Sequence, residues 1–219
     1  MRDFLFGGSC ILCRGRARSV LCADCDAELP RLRLPLCPRC ALASPGGALC
    51  GRCLAEPPHY DATVAALAYA FPADVLIQAL KFRGELALAP FLGNFLLQQK
   101  AEVDLILPVP LSAQRLRERG FNQATELARV LANATRAPLD AFSLKKKINT
   151  AGQADLPLAE RRRNVAGAFE CARRLDGARV AVVDDVMTSG ATLDEVAKVL
   201  KSAGAAHVTN CVVARTLPP

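Results

Sequence analysis

The chain has 219 residues, of which 52% are hydrophobic and 22% charged, and its formal net charge is +7 at pH 7. This length accommodates one α/β domain of about 160 residues behind a smaller module. No apolar run is long enough to span a bilayer, so we expect a cytoplasmic protein without a membrane span. Aromatic residues are only 5% of the chain, which argues against an extended platform for stacking nucleic-acid bases.

The first part of the chain is dominated by cysteine. Eight of the ten cysteines form four C-x-x-C pairs, namely Cys10 and Cys13, Cys22 and Cys25, Cys37 and Cys40, and Cys50 and Cys53. Eight thiolates satisfy two tetrahedral zinc ions and leave no position open for a substrate, so we predict two structural zinc sites within residues 1–57. We favour an arrangement in which two C-x-x-C pairs that are adjacent in the sequence share one zinc ion, and an arrangement in which the pairs interleave stays open. A disulfide framework is the alternative, which a reducing cytoplasm disfavours.

The middle of the chain predicts a helix, a strand and a phosphate-binding loop. Apolar residues at 76, 77 and 80 have helical spacing, and this helix is expected to end at Lys81-Phe-Arg-Gly84. Residues 105–111 are typical of a buried strand that ends in a proline-rich loop, and arginines follow at 115, 117 and 119. Such a loop is well placed to bind phosphate. A second helix is expected over the apolar positions 121, 124, 128 and 131.

Positive charge is concentrated on residues 1–57 and 81–163. It includes Lys145-Lys-Lys147, which together with the polar residues 149–155 predicts a mobile basic loop. Basic surfaces of this kind attract polyanions such as pyrophosphate or a nucleic-acid backbone. A solvated surface without a partner is the alternative for each basic cluster.

The strongest functional signal is the segment from Val180 to Thr192. Its first four residues are typical of a parallel strand buried on both faces, which places Asp184 and Asp185 at the carboxyl end, where α/β sheets bind ligands. Residues 188–192, Thr-Ser-Gly-Ala-Thr, then offer hydroxyl groups, a glycine and a helix start, all suited to an anion. Carboxylates can hold ribose hydroxyls or Mg²⁺, so the segment predicts a pocket for a ribose phosphate. An ordinary strand, turn and capped helix is the alternative.

This segment resembles the 5-phosphoribosyl-1-pyrophosphate (PRPP) motif of the type I phosphoribosyltransferases. The resemblance implies that Asp184 and Asp185 are the catalytic candidates that hold the ribose. The residues implied to hold the 5-phosphate are Thr188, Ser189, Gly190, Ala191 and Thr192. The order of all motifs resembles the ComF/GntX family over nearly the whole chain: the cysteine pairs, Lys81-Phe-Arg-Gly84, Pro108-Val-Pro110, Arg119-Gly-Phe-Asn-Gln123, Gln153 with Leu156, and the segment 163–169.

The family resemblance implies a fold, a site and a function. The fold is an α/β, type I phosphoribosyltransferase-like parallel sheet flanked by helices over residues 58–219, behind a double zinc ribbon over residues 1–57. Val109, Pro110 and Arg119 are implied to bind the pyrophosphate, with Lys81 as a further candidate, and residues 145–163 to form a lid. The implied function is a Mg²⁺-dependent, PRPP-binding phosphoribosyltransferase linked to natural transformation, with single-stranded DNA and a DNA-uptake helicase as partners.

Two further functions remain open from the sequence. In the first, the protein is a non-catalytic accessory of DNA uptake that binds single-stranded DNA, and PRPP is a regulatory or vestigial ligand. In the second, it is a regulator that senses PRPP. Neither the acceptor of a phosphoribosyl group nor the oligomeric state is specified by the residues.

Overall fold

The computed structural model describes residues 8–33, 35–98, 102–147 and 165–218. Its strands are β1 (Gly8–Ser9), β2 (Arg16–Ala17), β3 (Ala62–Ala68), β4 (Leu105–Pro108), β5 (Leu144–Lys146), β6 (Phe169–Cys171), β7 (Arg179–Met187) and β8 (His207–Arg215). Its α-helices are α1 (Ala23–Ala27), α2 (Gly51–Ala55), α3 (Ala73–Arg83), α4 (Leu88–Gly93), α5 (Ala113–Arg119), α6 (Gln123–Thr135) and α7 (Ala191–Ser202). Short 3₁₀ turns cover Pro45–Gly47 and Asn94–Gln98.

A parallel sheet of four strands, in the order β3-β8-β7-β4, forms the centre of the fold. Its strands are apolar on both faces, as a parallel sheet covered by helices requires, and Val180–Val183 are fully buried. Helices α3, α4 and α6 pack on one face and α7 on the other. The predicted α/β fold is therefore confirmed.

Strand β7 is longer than predicted. It continues to Met187, so Asp184 and Asp185 lie within the strand and not after it. The neighbouring strand β8 runs alongside to Arg215, and Asp184 is paired with Val212 of that strand. The sequence pattern did not predict this extension, because the backbone at the two aspartates is kept extended by hydrogen bonds to the neighbouring strand and not by apolar side chains.

The helix predicted to end at Lys81-Phe-Arg-Gly84 does so, whereas the second predicted helix begins at Gln123, so Phe121 lies before it. Gly84 terminates α3 in the left-handed region, at φ 67°, and its N–H bonds the carbonyl of Ala79. The side chain of Asn122 caps α6 by accepting a hydrogen bond from Ala124 N at 3.0 Å. The predicted apolar face of α6 is buried in the core at positions 124, 128 and 131.

The cysteine-rich part lies against the β3 edge of the sheet. The connection between its second and third cysteine pairs runs antiparallel along β3, with bonds from Leu32 N to Ala66 O (2.9 Å) and from Ala68 N to Pro30 O (2.8 Å). The first four-cysteine group packs into the core cluster of α3, α4 and α6. Residue Ala41, within the second group, packs into the cluster on the α7 face. The division at residue 57 stays a prediction.

The other margin of the sheet, β4, is bonded to residues 138–140. Ile106 N donates to Pro138 O at 2.9 Å, and Asp140 N donates to Ile106 O at 3.0 Å. After this segment comes β5, which pairs antiparallel with β6. The expectation of a mobile loop starting at Lys145 was wrong at its first two residues, because Lys145 and Lys146 lie in β5. Residues 148–164, which hold the rest of that loop, lie outside the described residues.

In the part of the chain that the structure describes, no helix is at once long and apolar enough to cross a lipid bilayer.

Candidate functional site

A cavity of about 490 Å³ opens at the carboxyl ends of β4 and β7. Nine of the eleven predicted ligand-binding residues line it: Lys81, Val109, Pro110, Asp184, Asp185, Thr188, Gly190, Ala191 and Thr192. These residues come from three separate parts of the sequence: Lys81, residues 109–110 and residues 184–192. The fold therefore brings the predicted motifs to one place, at the sheet edge where α/β proteins bind ligands.

Two predicted residues, Ser189 and Arg119, lie outside that wall. Ser189 faces a smaller cavity of about 190 Å³ on the other side of the loop, next to Cys40 and Arg52. Arg119 lines a neighbouring cavity of about 420 Å³. Its guanidinium lies 5.1 Å from the centre of the Phe82 ring and is hydrogen bonded to Gln123 Oε1. A role for Arg119 in binding pyrophosphate stays a prediction.

Asp185 forms a buried ion pair with Lys81. The Nζ of Lys81 lies 2.8 Å from Asp185 Oδ1, and the side chains are 20% and 5% exposed. Burial alone would lower the pKa of Lys81, but the Asp185 carboxylate outweighs it and raises that pKa. The second oxygen of Asp185, Oδ2, is buried and has no hydrogen-bond partner among the described residues. An acceptor of this kind beside a cavity is suited to a ligand hydroxyl or a cation.

Asp184 has a different electrostatic environment, because consecutive residues of a strand point to opposite faces. Burial, and then the neighbouring Asp185 carboxylate, raise the pKa of Asp184 to about 7. Lys81, the N–H of Asp185 (2.8 Å from Asp184 Oδ1) and Lys146 act in the opposite direction. Asp184 therefore changes its charge near neutral pH.

Residues 188–192, which we call the phosphate loop, carry the chain from β7 into α7. Gly190 caps the helix with φ 85° and ψ −3°, a conformation that costs glycine little. A Cβ at this position would come within 2.8 Å of Met187 Cε and 3.2 Å of the Tyr60 hydroxyl. The first residues of α7, Ala191 and Thr192, line the large cavity. The positive end of a 12-residue helix thus borders the cavity, an arrangement that favours an anion.

Ten residues that were not predicted as ligand-binding line the same cavity, and six of them are polar or aromatic: Tyr69, Arg115, Gln123, Lys146, Phe169 and Thr216. Arg115 and Lys146 belong to basic clusters that the sequence revealed, but no spacing singled them out. Thr216 directly follows β8, so the rule that ligands bind at the carboxyl edge could have identified it. Its Oγ1 is buried and lacks a hydrogen-bond partner within the described ranges.

The eight N-terminal cysteines form two groups of four, made of adjacent pairs: Cys10, Cys13, Cys22 and Cys25, and then Cys37, Cys40, Cys50 and Cys53. Within each group all four Sγ atoms lie within 4.8 Å of one another. The separations of 3.7 Å for Cys13 to Cys22 and 3.6 Å for Cys40 to Cys50 match the value of about 3.8 Å expected for tetrahedral Zn–S bonds of about 2.3 Å. The adjacent arrangement is the one that the spacing favoured.

Backbone donors around these groups stabilise thiolates. The N–H groups of Gly15, Cys25 and Cys50 point at cysteine sulfurs at 3.4, 3.5 and 3.4 Å. At Cys37, burial opposes ionisation, but backbone N–H groups, that of Cys50 first, outweigh it and lower the pKa to about 6. Four convergent sulfurs with N–H support fit zinc, which these cysteines would hold with all four positions filled.

Comparison with known proteins identifies the family. Residues 1–54 match the double zinc ribbon domain, and residues 116–217 match the phosphoribosyl transferase domain. The chain is 34% identical to the DNA utilization protein YhgH of Salmonella typhimurium, over 96% of this chain and 98% of that protein. It is 32% identical to competence protein F of Haemophilus influenzae, over 93% and 95%. The chain belongs to the ComF family. This ComF family member therefore joins a phosphoribosyltransferase-like sheet to a double zinc ribbon whose cysteine groups support structural zinc.

This ComF family member is 26% identical, with a TM-score of 0.41, to a solved structure described as the allosteric regulatory enzyme of purine biosynthesis. The similarity covers 57% of this chain and 25% of that one, so the chain spans about a quarter of the length of that structure.

Proposed function

We propose that the large cavity binds PRPP together with Mg²⁺ and that the protein transfers the phosphoribosyl group to an acceptor. The observation that carries this proposal is the assembly of nine predicted residues around one cavity. The acidic pair lies at one part of its wall and the phosphate loop at another, which is the distribution that a pentose with a terminal phosphate requires. A strand, turn and helix without a ligand would not need the additional lining by Lys81 and the Val109-Pro110 loop.

The ribose and the 5-phosphate have distinct partners in this proposal. Asp184 and Asp185 accept hydrogen bonds from the ribose hydroxyls, and the free Oδ2 of Asp185 supports this assignment. The N–H groups at the start of α7, with the hydroxyls of Thr188 and Thr192, bind the phosphate. Carboxylate oxygens are also the ligands that Mg²⁺ prefers, and the ion would neutralise charge on the pyrophosphate.

The pyrophosphate leaves with negative charge while the sugar carbon becomes oxocarbenium-like, so cations near the leaving group lower the barrier. Among the described residues, Lys81, Arg115 and Lys146 line the cavity and bring positive charge to its wall. The Val109-Pro110 loop follows β4 and shapes the same wall. The lid implied for residues 145–163, of which residues 148–163 lie outside the described residues, would exclude water from the reactive centre.

Binding of PRPP to the intact chain tests this proposal. Titration calorimetry with PRPP and MgCl₂ should detect binding by the unchanged protein and at least a tenfold loss of affinity in Asp184→Asn. Asp176→Asn is a matched control, because Asp176 is exposed, lies outside the cavity and has φ 40°, which asparagine tolerates. A screen for pyrophosphate release across bases and nucleic acids then addresses turnover. Equal PRPP affinity in both variants would contradict the proposed site.

A second candidate function is supported by one exposed aromatic residue. Phe82 is 72% exposed, and the Arg119 guanidinium lies over its ring beside the neighbouring cavity. An aromatic ring next to arginines is suited to stack a nucleic-acid base. The similar proteins carry names that refer to DNA utilization and competence, and we extend that link to this chain. In this alternative, the protein binds single-stranded DNA in concert with a helicase, and PRPP is regulatory or vestigial.

The two functions predict opposite behaviour for two variants. Fluorescence anisotropy with a labelled oligodeoxynucleotide should show weaker DNA binding by Phe82→Ala if the alternative holds, while Asp184→Asn binds DNA normally and still supports transformation. If phosphoribosyl transfer is required, Asp184→Asn should lose both PRPP binding and transformation at unchanged thermal stability.

A further inference from the structure

Arg215, at the end of β8, joins the second four-cysteine group to the strand that leads into the phosphate loop. Its side chain is almost completely buried, at 1% exposed. Its Nε donates to the carbonyl of Cys40 at 2.9 Å. Its Nη1 donates to the carbonyls of Met187 at 2.8 Å and Thr216 at 2.9 Å, and also to that of Thr188. One guanidinium therefore holds a metal-binding knuckle and the entry to the phosphate loop together.

A second arginine makes a parallel link. Arg52 lies between Cys50 and Cys53 in the sequence, and its Nη2 donates to the carbonyl of Ser189 at 2.9 Å. Below the loop, the buried Tyr60 places its hydroxyl against Gly190. The cavity of about 190 Å³ described above lies between this cysteine group and the loop. The loop is thus supported from behind by the residues of the second metal group.

Charge and geometry make this support dependent on the metal. Zinc bound by four thiolates keeps a net negative charge, which compensates a nearby buried cation. Arg215 interacts electrostatically with Cys40 and Cys53. If the metal leaves, the four cysteines are no longer held together, and the Cys40 carbonyl that accepts from Arg215 Nε loses its fixed position. The same guanidinium then no longer holds the carbonyls of residues 187 and 188 in place.

The first cysteine group provides an internal control, because it occupies a different place in the fold. Cys10 and its neighbours pack into the cluster with α3 and α4, on the sheet face opposite to α7. Among the described residues, no hydrogen bond of the structure joins that group to the phosphate loop.

We propose that the second four-cysteine site stabilises the ligand site, and that Arg215 is the positioning residue that couples this cysteine site to the phosphate loop. Loss of zinc there loosens the loop and lowers affinity for a phosphorylated ligand. Because coupling between two sites is reciprocal, a ligand in the loop must equally protect the second zinc. The inference has two halves: the loop half is the effect of zinc on the order of the phosphate loop, and the ligand half is the effect of zinc on ligand affinity. The ligand half rests on the proposed function, whereas the loop half does not.

Hydrogen exchange on the intact chain tests the loop half. Cys53→Ser should speed exchange of the backbone amides at residues 187–191 at least tenfold, whereas Cys25→Ser, the matched change in the first group, should leave them unchanged. Arg215→Met should reproduce the effect of Cys53→Ser with both zinc ions retained, and Arg215→Lys should restore part of the protection. Equal exchange at these amides in Cys53→Ser, Arg215→Met and the unchanged protein would overturn the coupling.

Thiol alkylation resolved by peptide tests the ligand half on the unsubstituted chain, so it does not depend on any variant folding. With PRPP and MgCl₂, alkylation of Cys37, Cys40, Cys50 and Cys53 should slow about tenfold, and that of the first group should not. Arg215→Met should abolish this difference. If calorimetry detects PRPP binding but neither group is protected, the coupling is wrong. If calorimetry detects no binding, the proposed function fails, and the exchange experiment still decides the coupling.

Discussion

The Nζ of Lys81 on α3 lies 2.8 Å from Oδ1 of Asp185 on β7, and this pair connects a helix of one layer to the end of the sheet. The carboxylate is only 5% exposed at the wall of the cavity, so the lysine compensates a charge that water screens poorly. Removing one partner of such a pair leaves a buried charge or forces it to take up a proton.

We therefore expect Lys81→Met to destabilise the protein by about 3 kcal/mol. Urea unfolding followed by circular dichroism measures this. Arg83→Met, an exposed change on the same helix, should cost less than about 0.5 kcal/mol. The double variant Lys81→Met, Asp185→Asn should recover much of the loss, because neither charge then remains unpaired. A double variant that is less stable than Lys81→Met alone would show that the ion pair is not the reason.

The raised pKa of Asp184 predicts a pH dependence near neutrality. Its folded pKa of about 7 lies above its unfolded value of about 3.9, so the folded state favours the protonated form. Asp184 therefore reduces folding stability in full above pH 7, and this cost shrinks steadily as the pH falls from 7 and is absent only below the unfolded pKa of about 3.9. A ligand that needs the carboxylate binds in the opposite sense, with affinity falling up to about tenfold per pH unit below 7.

Calorimetry with PRPP and MgCl₂ at pH 6, 7 and 8 measures this dependence. Asp184→Asn serves as the reference, because it keeps the titration of the ligand itself and removes that of the side chain. The affinity of the unchanged protein should approach that of the variant as the pH falls to 6. Parallel pH profiles for the two proteins would rule out Asp184 as the titrating group.

Gly190→Ala should weaken phosphate binding more than it weakens the fold. The substitution forces alanine to φ 85° and brings its Cβ against Tyr60, so the loop has to shift. Gly84→Ala is the matched control, since it shares the positive φ but has open space around the new Cβ. Both changes should cost about 1 kcal/mol in thermal unfolding, and only Gly190→Ala should lower PRPP affinity, by at least tenfold. Equal affinities would mean that the loop geometry does not matter for the ligand.

Metal analysis should find two zinc ions per chain, and chelation should unfold the cysteine-rich part. Structural zinc contributes on the order of 10 kcal/mol to small ribbons of this kind. Hydrogen exchange after chelation should therefore rise across residues 8–57, while the centre of β7 stays protected. A content below one zinc per chain, or a cysteine-rich part that keeps its protection without metal, would contradict structural zinc.

The features that the sequence predicted well are local. The cysteine pairs, the strand at Val180–Val183 and the start of α7 after Gly190 each lie within a few neighbouring residues, so spacing alone indicates them. Lys146 and Arg215 could not be assigned in the same way, because their positions at the site depend on how distant strands pair. Arg119 shows a further limit of pattern reasoning, since the end of α5 turns its side chain over Phe82, towards the neighbouring cavity.

The bonds along both outer strands restrict how this molecule can meet another one. Residues 30–32 occupy the backbone groups on the free side of β3, and residues 138–140 do the same for Ile106 of β4. Over these stretches of the described chain, the sheet offers no vacant backbone ladder to which a foreign strand could be added. A helicase or a second copy of the chain that met the molecule at these stretches would therefore have to recognise side chains, and single substitutions there should suffice to separate association from ligand binding.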